Sequence, residues 1–131
     1  MGAEFHLDPE KGFLVVTIDG TYSLAEFRES LDEITRSGRF PAAIDALWDL
    51  RKMDFRRVDR GFWRGIMDAI KEHPERSGAR AAHVVEGDFA YGMARMYEIL
   101  LGLDPVLDRR RMVVFTSYAE AEAWLGDCAA G

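Results

Sequence analysis

The chain has 131 residues, of which 48% are apolar and 31% charged, and it carries a net charge of −6. That composition excludes a disordered or fibrous chain, and the acidic balance argues against nucleic acid, which calls for a basic face. A single cysteine, Cys128, excludes an internal disulfide, so folding needs no oxidising compartment.

A chain of this length is expected to form one domain over 1–131, burying roughly two thirds of its unfolded surface. No apolar run approaches the roughly 20 residues that span a bilayer, and no basic segment precedes an apolar one at the start, so a cytoplasmic protein is the simplest expectation.

Residues 3–8 read as a first strand, and Asp8-Pro9-Glu10-Lys11-Gly12 as a reversing turn, with Gly12 free to take positive φ. Phe13 to Ile18 is almost continuously apolar, the pattern of a strand covered on both faces. Ser23 and Glu26 form a capping box that opens a helix with Leu24, Phe27, Leu31 and Ile34 on one face, closed by Ser37-Gly38. Ile44 to Leu50 is the third strand, and the polar stretch from Arg51 to Arg60 reads as a loop.

A second helix carries Phe62, Trp63, Ile66, Met67 and Ile70 and ends at His73-Pro74. Ala79 to Val85 is a fourth strand. Asp88 is placed to cap a third helix whose apolar stripe is Phe89, Met93, Met96, Tyr97 and Leu100. Met112 to Phe115 is a fifth strand, and Ser117 with Glu120 opens a last helix. That helix turns Tyr118, Ala121, Trp124 and Leu125 inward and ends at Gly126, ahead of a tail, 127–131, expected to be disordered. The order β-β-α-β-α-β-α-β-α predicts an α/β domain: a mixed sheet of four or five strands with four helices packed around it.

In such sheets ligands gather at the carboxyl ends of strands, which here are Asp19-Gly20, Asp49-Leu50-Arg51, Glu86-Gly87-Asp88 and Thr116-Ser117. Phosphate loops, zinc spacings and the Gly-x-Ser-x-Gly elbow are absent from the sequence. His6, His73 and His83 stand singly; His83 reads as a core or half-buried histidine, and His73 as a favourable charge at a helix end. Asp19, Asp49, Glu86 and Asp88 could converge on one hard cation, or Asp49 and Asp88 could simply cap the turns that follow them. The segment Trp48 to Met53 resembles the acceptor strand of response-regulator receivers, but the acidic pair that receivers require is incomplete at Asp19-Gly20 and their lysine is missing at Thr116-Ser117. The one basic run, Arg109-Arg110-Arg111, reads as a solvated edge.

The segment Gly87 to Glu98 is the most distinctive. Gly92 inside a helix costs nearly 1 kcal/mol relative to alanine, so a close approach to its backbone is expected. Tyr91 and Arg95 share a face near a helix N-terminus and could take a small anion or a partner's carboxylate. The plainer reading pairs Arg95 with Glu98 or a strand-end acid and packs Gly92 on a neighbouring helix.

These residues, together with Gly12 to Val16, Asp19-Gly20, Leu47 to Leu50, Val114-Phe115, Glu120-Ala121 and Ala123 to Gly126, give the chain a resemblance to the SpoIIAA-like family of small bacterial STAS-type proteins. The resemblance implies one domain with a mixed sheet, in a class of non-enzymatic switch and scaffold proteins whose related folds include CRAL-TRIO lipid carriers. Anti-sigma-factor antagonists of that class are switched by phosphorylation of a serine after the third strand. Residues 51–61 contain no Ser or Thr, so no phosphosite carries over.

The expected function is a non-catalytic module that binds a protein partner or small ligand through Asp49, Arg51, Trp63, Asp88, Tyr91, Gly92 and Arg95, with no cofactor, no metal and no nucleic acid. A carrier of a small hydrophobic ligand or lipid, in a pocket lined by Met53, Met67, Met93 and Met96, is the alternative. A metal-assisted enzyme using the strand-end carboxylates is a third reading, and a homodimer formed through an edge strand is compatible with each.

Overall fold

The computed structural model describes residues 3–8, 10–107 and 111–130, with side chains described for all of these except 8 and 127–130. Pro9, Arg109, Arg110, Gly131 and the Cys128 side chain therefore lie outside the described residues.

Strands β1 (Ala3–Asp8) and β2 (Phe13–Gly20) form an antiparallel hairpin, turned at Gly12 with φ +75°. From there the chain alternates: α1 (Leu24–Arg36), β3 (Ala46–Met53), α2 (Arg60–Lys71), β4 (Arg80–Val84), α3 (Asp88–Leu103), β5 (Arg111–Phe115) and α4 (Tyr118–Ala130). The five strands lie in sequence order, and β2 to β5 are parallel. Because each crossover steps the same way along the sheet, α1, α2 and α3 share one face, and α4 takes the other.

Strand alternation sorts the core accordingly. On the three-helix face Leu14, Val16, Ile18, Trp48 and Leu50 meet Leu31, Ile34, Ile66, Ala94 and Leu101. On the other face Phe13, Leu47, Ala82 and Val84 meet Ala121 and Leu125 of α4.

Local signals set the helix starts. Ser23 Oγ accepts from Glu26 N–H and Glu26 Oε1 accepts from Ser23 N–H, each at 3.1 Å, completing the capping box. Ser117 Oγ accepts from Glu120 N–H at 3.2 Å, and Asp59, a cap the sequence reading passed over, accepts from Phe62 N–H at 2.8 Å.

Four expectations are corrected. β3 runs through Arg51 to Met53, because Asp19 and Gly20 at the end of β2 pair with Lys52 and Met53. The N-cap of α3 is Gly87, not Asp88: its φ of +92° and ψ of 154° lie in a region that glycine alone enters readily, and no side chain caps the helix. The inner stripe of α3 is Ala90, Ala94, Tyr97 and Leu101, whereas Phe89 is 60% exposed. Finally, α4 continues past Gly126.

One polar arrangement ties the amino ends of two strands to α4. Arg80 is buried, donates its backbone N–H to Asp45 Oδ1 at 2.7 Å, and lays its guanidinium on Asp45 Oδ2. The same guanidinium sits 5.6 Å from the Trp124 ring centre and donates to the Trp124 carbonyl.

Candidate functional site

Parallel pairing of β2 to β5 brings the strand ends to one rim, as the sequence implied. On the α4 side Glu4, Thr17, Asp19, Asp49, Arg51, Lys52 and Glu86 line a polar groove of about 430 Å³. Asp49 and Arg51, two residues apart on β3, point the same way, and the guanidinium grips the carboxylate with two bonds of 2.8 Å. The Arg51 backbone N–H adds a third bond at 3.3 Å, and the guanidinium lies 4.9 Å from the Tyr118 ring centre. Arg51 holds the Asp49 carboxyl below the usual carboxylate range, while burial raises the Tyr118 phenol.

The Asp49 charge is thus already answered within the chain; no turn follows it to be capped, because its bond to Arg51 N–H lies within β3. Among the described residues no group of three or more His, Cys, Asp or Glu could hold a metal ion. Lys52 and Tyr118 join the arrangement without having been singled out from the sequence; extending β3 by three residues is what places Lys52 there.

The other expected site residues lie elsewhere. Asp88, Tyr91, Gly92 and Arg95 are on the outer surface of α3. Arg95 is ion-paired with Glu98, whose second oxygen accepts the Val114 N–H on the free side of β5 at 3.2 Å. A Cβ built on Gly92 meets nothing within 4 Å, so no neighbouring helix explains that glycine.

Trp63 is corrected most. It is only 5% exposed and stacks on Tyr97, with ring centres 4.6 Å apart at 17°. The aromatic and apolar residues at helical spacing on α2 face inward, and with them Trp63 leaves the surface.

That inward face opens a second and different site. Between β3–β4 and helices α1 to α3 lies a cavity of about 100 Å³, walled by Phe27, Trp48, Trp63, His83, Tyr97 and their apolar neighbours. Of the four methionines expected to line a pocket only Met53 does so, joined by Met112. Small residues make the room: Ala81 on β4 and Ala94 on α3 both line it.

The Trp48 and His83 rings are nearly parallel at 9°, with centres 6.3 Å apart, and Tyr97 stands edge-on to His83 at 81°. Two polar atoms of this wall, Trp63 Nε1 and His83 Nδ1, are buried with no hydrogen-bond partner among the described residues. Each such group costs about 1–3 kcal/mol, which a phenylalanine at 63 and an aliphatic residue at 83 would avoid. Burial pushes the His83 imidazole down to about 4, so it is neutral at pH 7.

The other two histidines do different work. His6 is exposed. His73, at the end of α2, is buried between the Ala69 carbonyl and Asp32 Oδ1, each 2.9 Å from a ring nitrogen.

No protein-family model matches the chain, and no curated protein matches it. Among solved structures it is similar to an uncharacterized protein of the DUF3478 family with a SpoIIAA-like fold, from Shewanella loihica PV-4. The TM-score is 0.60 over 95% of this chain and 92% of that one, at 16% sequence identity. The fold is SpoIIAA-like. At that identity the likeness carries the fold alone. No helix among the described residues is long and apolar enough to cross a membrane.

Proposed function

We propose that this SpoIIAA-like domain is a non-catalytic binding module whose ligand is a small, largely apolar molecule held between β3–β4 and α1 to α3. The observation that carries the reading is the aromatic-walled cavity of about 100 Å³ with two unpartnered polar atoms in its wall. An engineered apolar cavity of about 150 Å³ takes up benzene; this space is about two thirds of that, so a single small ring is the largest guest it suits and the wall must yield to admit it. The polar groove supports a binding rather than a chemical role, because its best-placed carboxylate is held by Arg51.

In benzene-saturated buffer the wild-type Tm is expected to rise by a few degrees, while a folded Ala81→Leu variant, its cavity filled, shows no rise. Absence of a shift in the wild type defeats the reading.

A second reading, a protein partner docked on α3, rests on a separate observation. The large apolar residues exposed on the described surface, Phe89, Tyr91, Ile99, Leu103 and Val106, all fall on α3 and the turn after it. An Ile99→Glu/Leu103→Glu variant is expected to keep its Tm and to lose self-association or partner capture in light scattering and cross-linking. Unchanged association excludes this face.

A further inference from the structure

We infer that the ligand of the cavity is a neutral planar ring bearing a hydroxyl or an equivalent donor–acceptor group, a phenol being the simplest, held by Trp63 Nε1–H and the His83 imidazole. This rests on the cavity reading and narrows it to a chemical class.

Three features of the wall converge on that class. An indole N–H only donates, so Trp63 calls for an acceptor. A neutral imidazole has one donating and one accepting nitrogen, so His83 Nδ1 calls for the complementary half of a hydrogen bond. A hydroxyl serves both at once: its oxygen accepts from the indole while its proton goes to an imidazole nitrogen. The two groups come from different elements, α2 and β4, yet both line the same space.

The rest of the wall prefers a flat guest. Trp48 with His83 and Trp63 with Tyr97 form two near-parallel ring pairs, at 9° and 17°, and ring faces favour offset stacking with a further ring.

Neutrality follows from the partners. Neither Trp63 nor the half-buried, unprotonated His83 supplies a charge to a carboxylate. Of the basic side chains that line the space besides His83, His73 is engaged with Asp32 and the Ala69 carbonyl and Arg76 with the carbonyls of Ala42 and Ile44, while Arg111 is exposed and its charge stays solvated.

The test titrates phenol, toluene and benzoate into the wild type, Trp63→Phe and His83→Leu by NMR. Phenol and toluene are near-isosteric, so the polar group is isolated. Phenol is expected to bind the wild type and to weaken about tenfold in each variant, while toluene changes by less than about threefold. In the wild type the Trp63 indole N–H resonance is expected to shift with phenol and not with toluene, a readout independent of whether the variants fold.

Equal losses for phenol and toluene, or an indole resonance indifferent to phenol, overturn the class and leave the cavity reading standing. Benzoate binding tightest overturns it in favour of charge recognition. If neither neutral ring binds the wild type, the cavity reading itself fails.

Discussion

Acidification from pH 6.5 to 4 is expected to remove about 2–3 kcal/mol of stability through His83 alone. The imidazole titrates near 4 in the folded chain because burial disfavours its charged form, whereas an unfolded histidine titrates near 6.5. Between those values the unfolded chain binds more protons than the folded one, so falling pH favours unfolding. The contribution is present in full above 6.5, is lost progressively down to 4, and changes no further below that.

Carboxylates act in a lower window. Asp49 and Asp104, held below the usual range by Arg51 and Lys71, lose their contribution only as pH falls beneath the ordinary carboxylate values. Urea midpoints at pH 7, 5.5 and 4.5 separate the two. The wild type is expected to slope steeply over this interval and His83→Leu to be nearly flat. Equal slopes would mean that His83 is solvated and that the cavity wall is not as described.

The largest single loss is expected at Asp45. Removing its carboxylate leaves the buried Arg80 guanidinium with only the Trp124 ring and carbonyl, and breaking such a pair from one side costs about 3–5 kcal/mol. Asp45→Asn keeps an acceptor for the Arg80 backbone N–H and is expected to lose less than Asp45→Ala. An Asp45→Ala/Arg80→Met double variant is also expected to be more stable than Asp45→Ala, since no unpaired charge stays buried. Denaturant titration measures all three, and a loss under about 1 kcal/mol for Asp45→Ala contradicts the burial argument.

How far the sequence could be read depended on the range of the interaction. The capping box at Ser23, the Ser117 cap and the turn at Gly12 involve residues at most a few positions apart; the structure shows the box and the turn in full and, at Ser117, the bond from Glu120 N–H. The order of elements follows from the same local signals.

α3 was misread because it is apolar nearly all round: Phe89, Met93, Met96 and Ile99 compete with Ala90, Ala94, Tyr97 and Leu101 for the inner face. Only the sheet decides between them, and it favours the side where two alanines allow close approach. Trp63 failed for a related reason. Its burial depends on Tyr97, thirty-four positions away, arriving on another helix to stack on it.

The cavity is the least legible feature, assembled from Tyr22, Trp48, Trp63, His83 and Tyr97 on separate elements. Its faint trace in the sequence is a histidine preceded by two alanines within β4, one of which, Ala81, leaves space where a larger apolar residue would have filled it. The Asp49/Arg51 grip was closer to hand, since residues two apart on a strand share a face, and only the early end assigned to β3 concealed it.

The Glu98 carboxylate on Val114 has a consequence for how molecules of this protein tolerate crowding. An outermost strand is ordinarily the place where a visiting chain can zip on and seed a growing ribbon. Here a visitor arriving alongside β5 must first dislodge a side chain that Arg95 also anchors, so that flank of the sheet is guarded against runaway stacking.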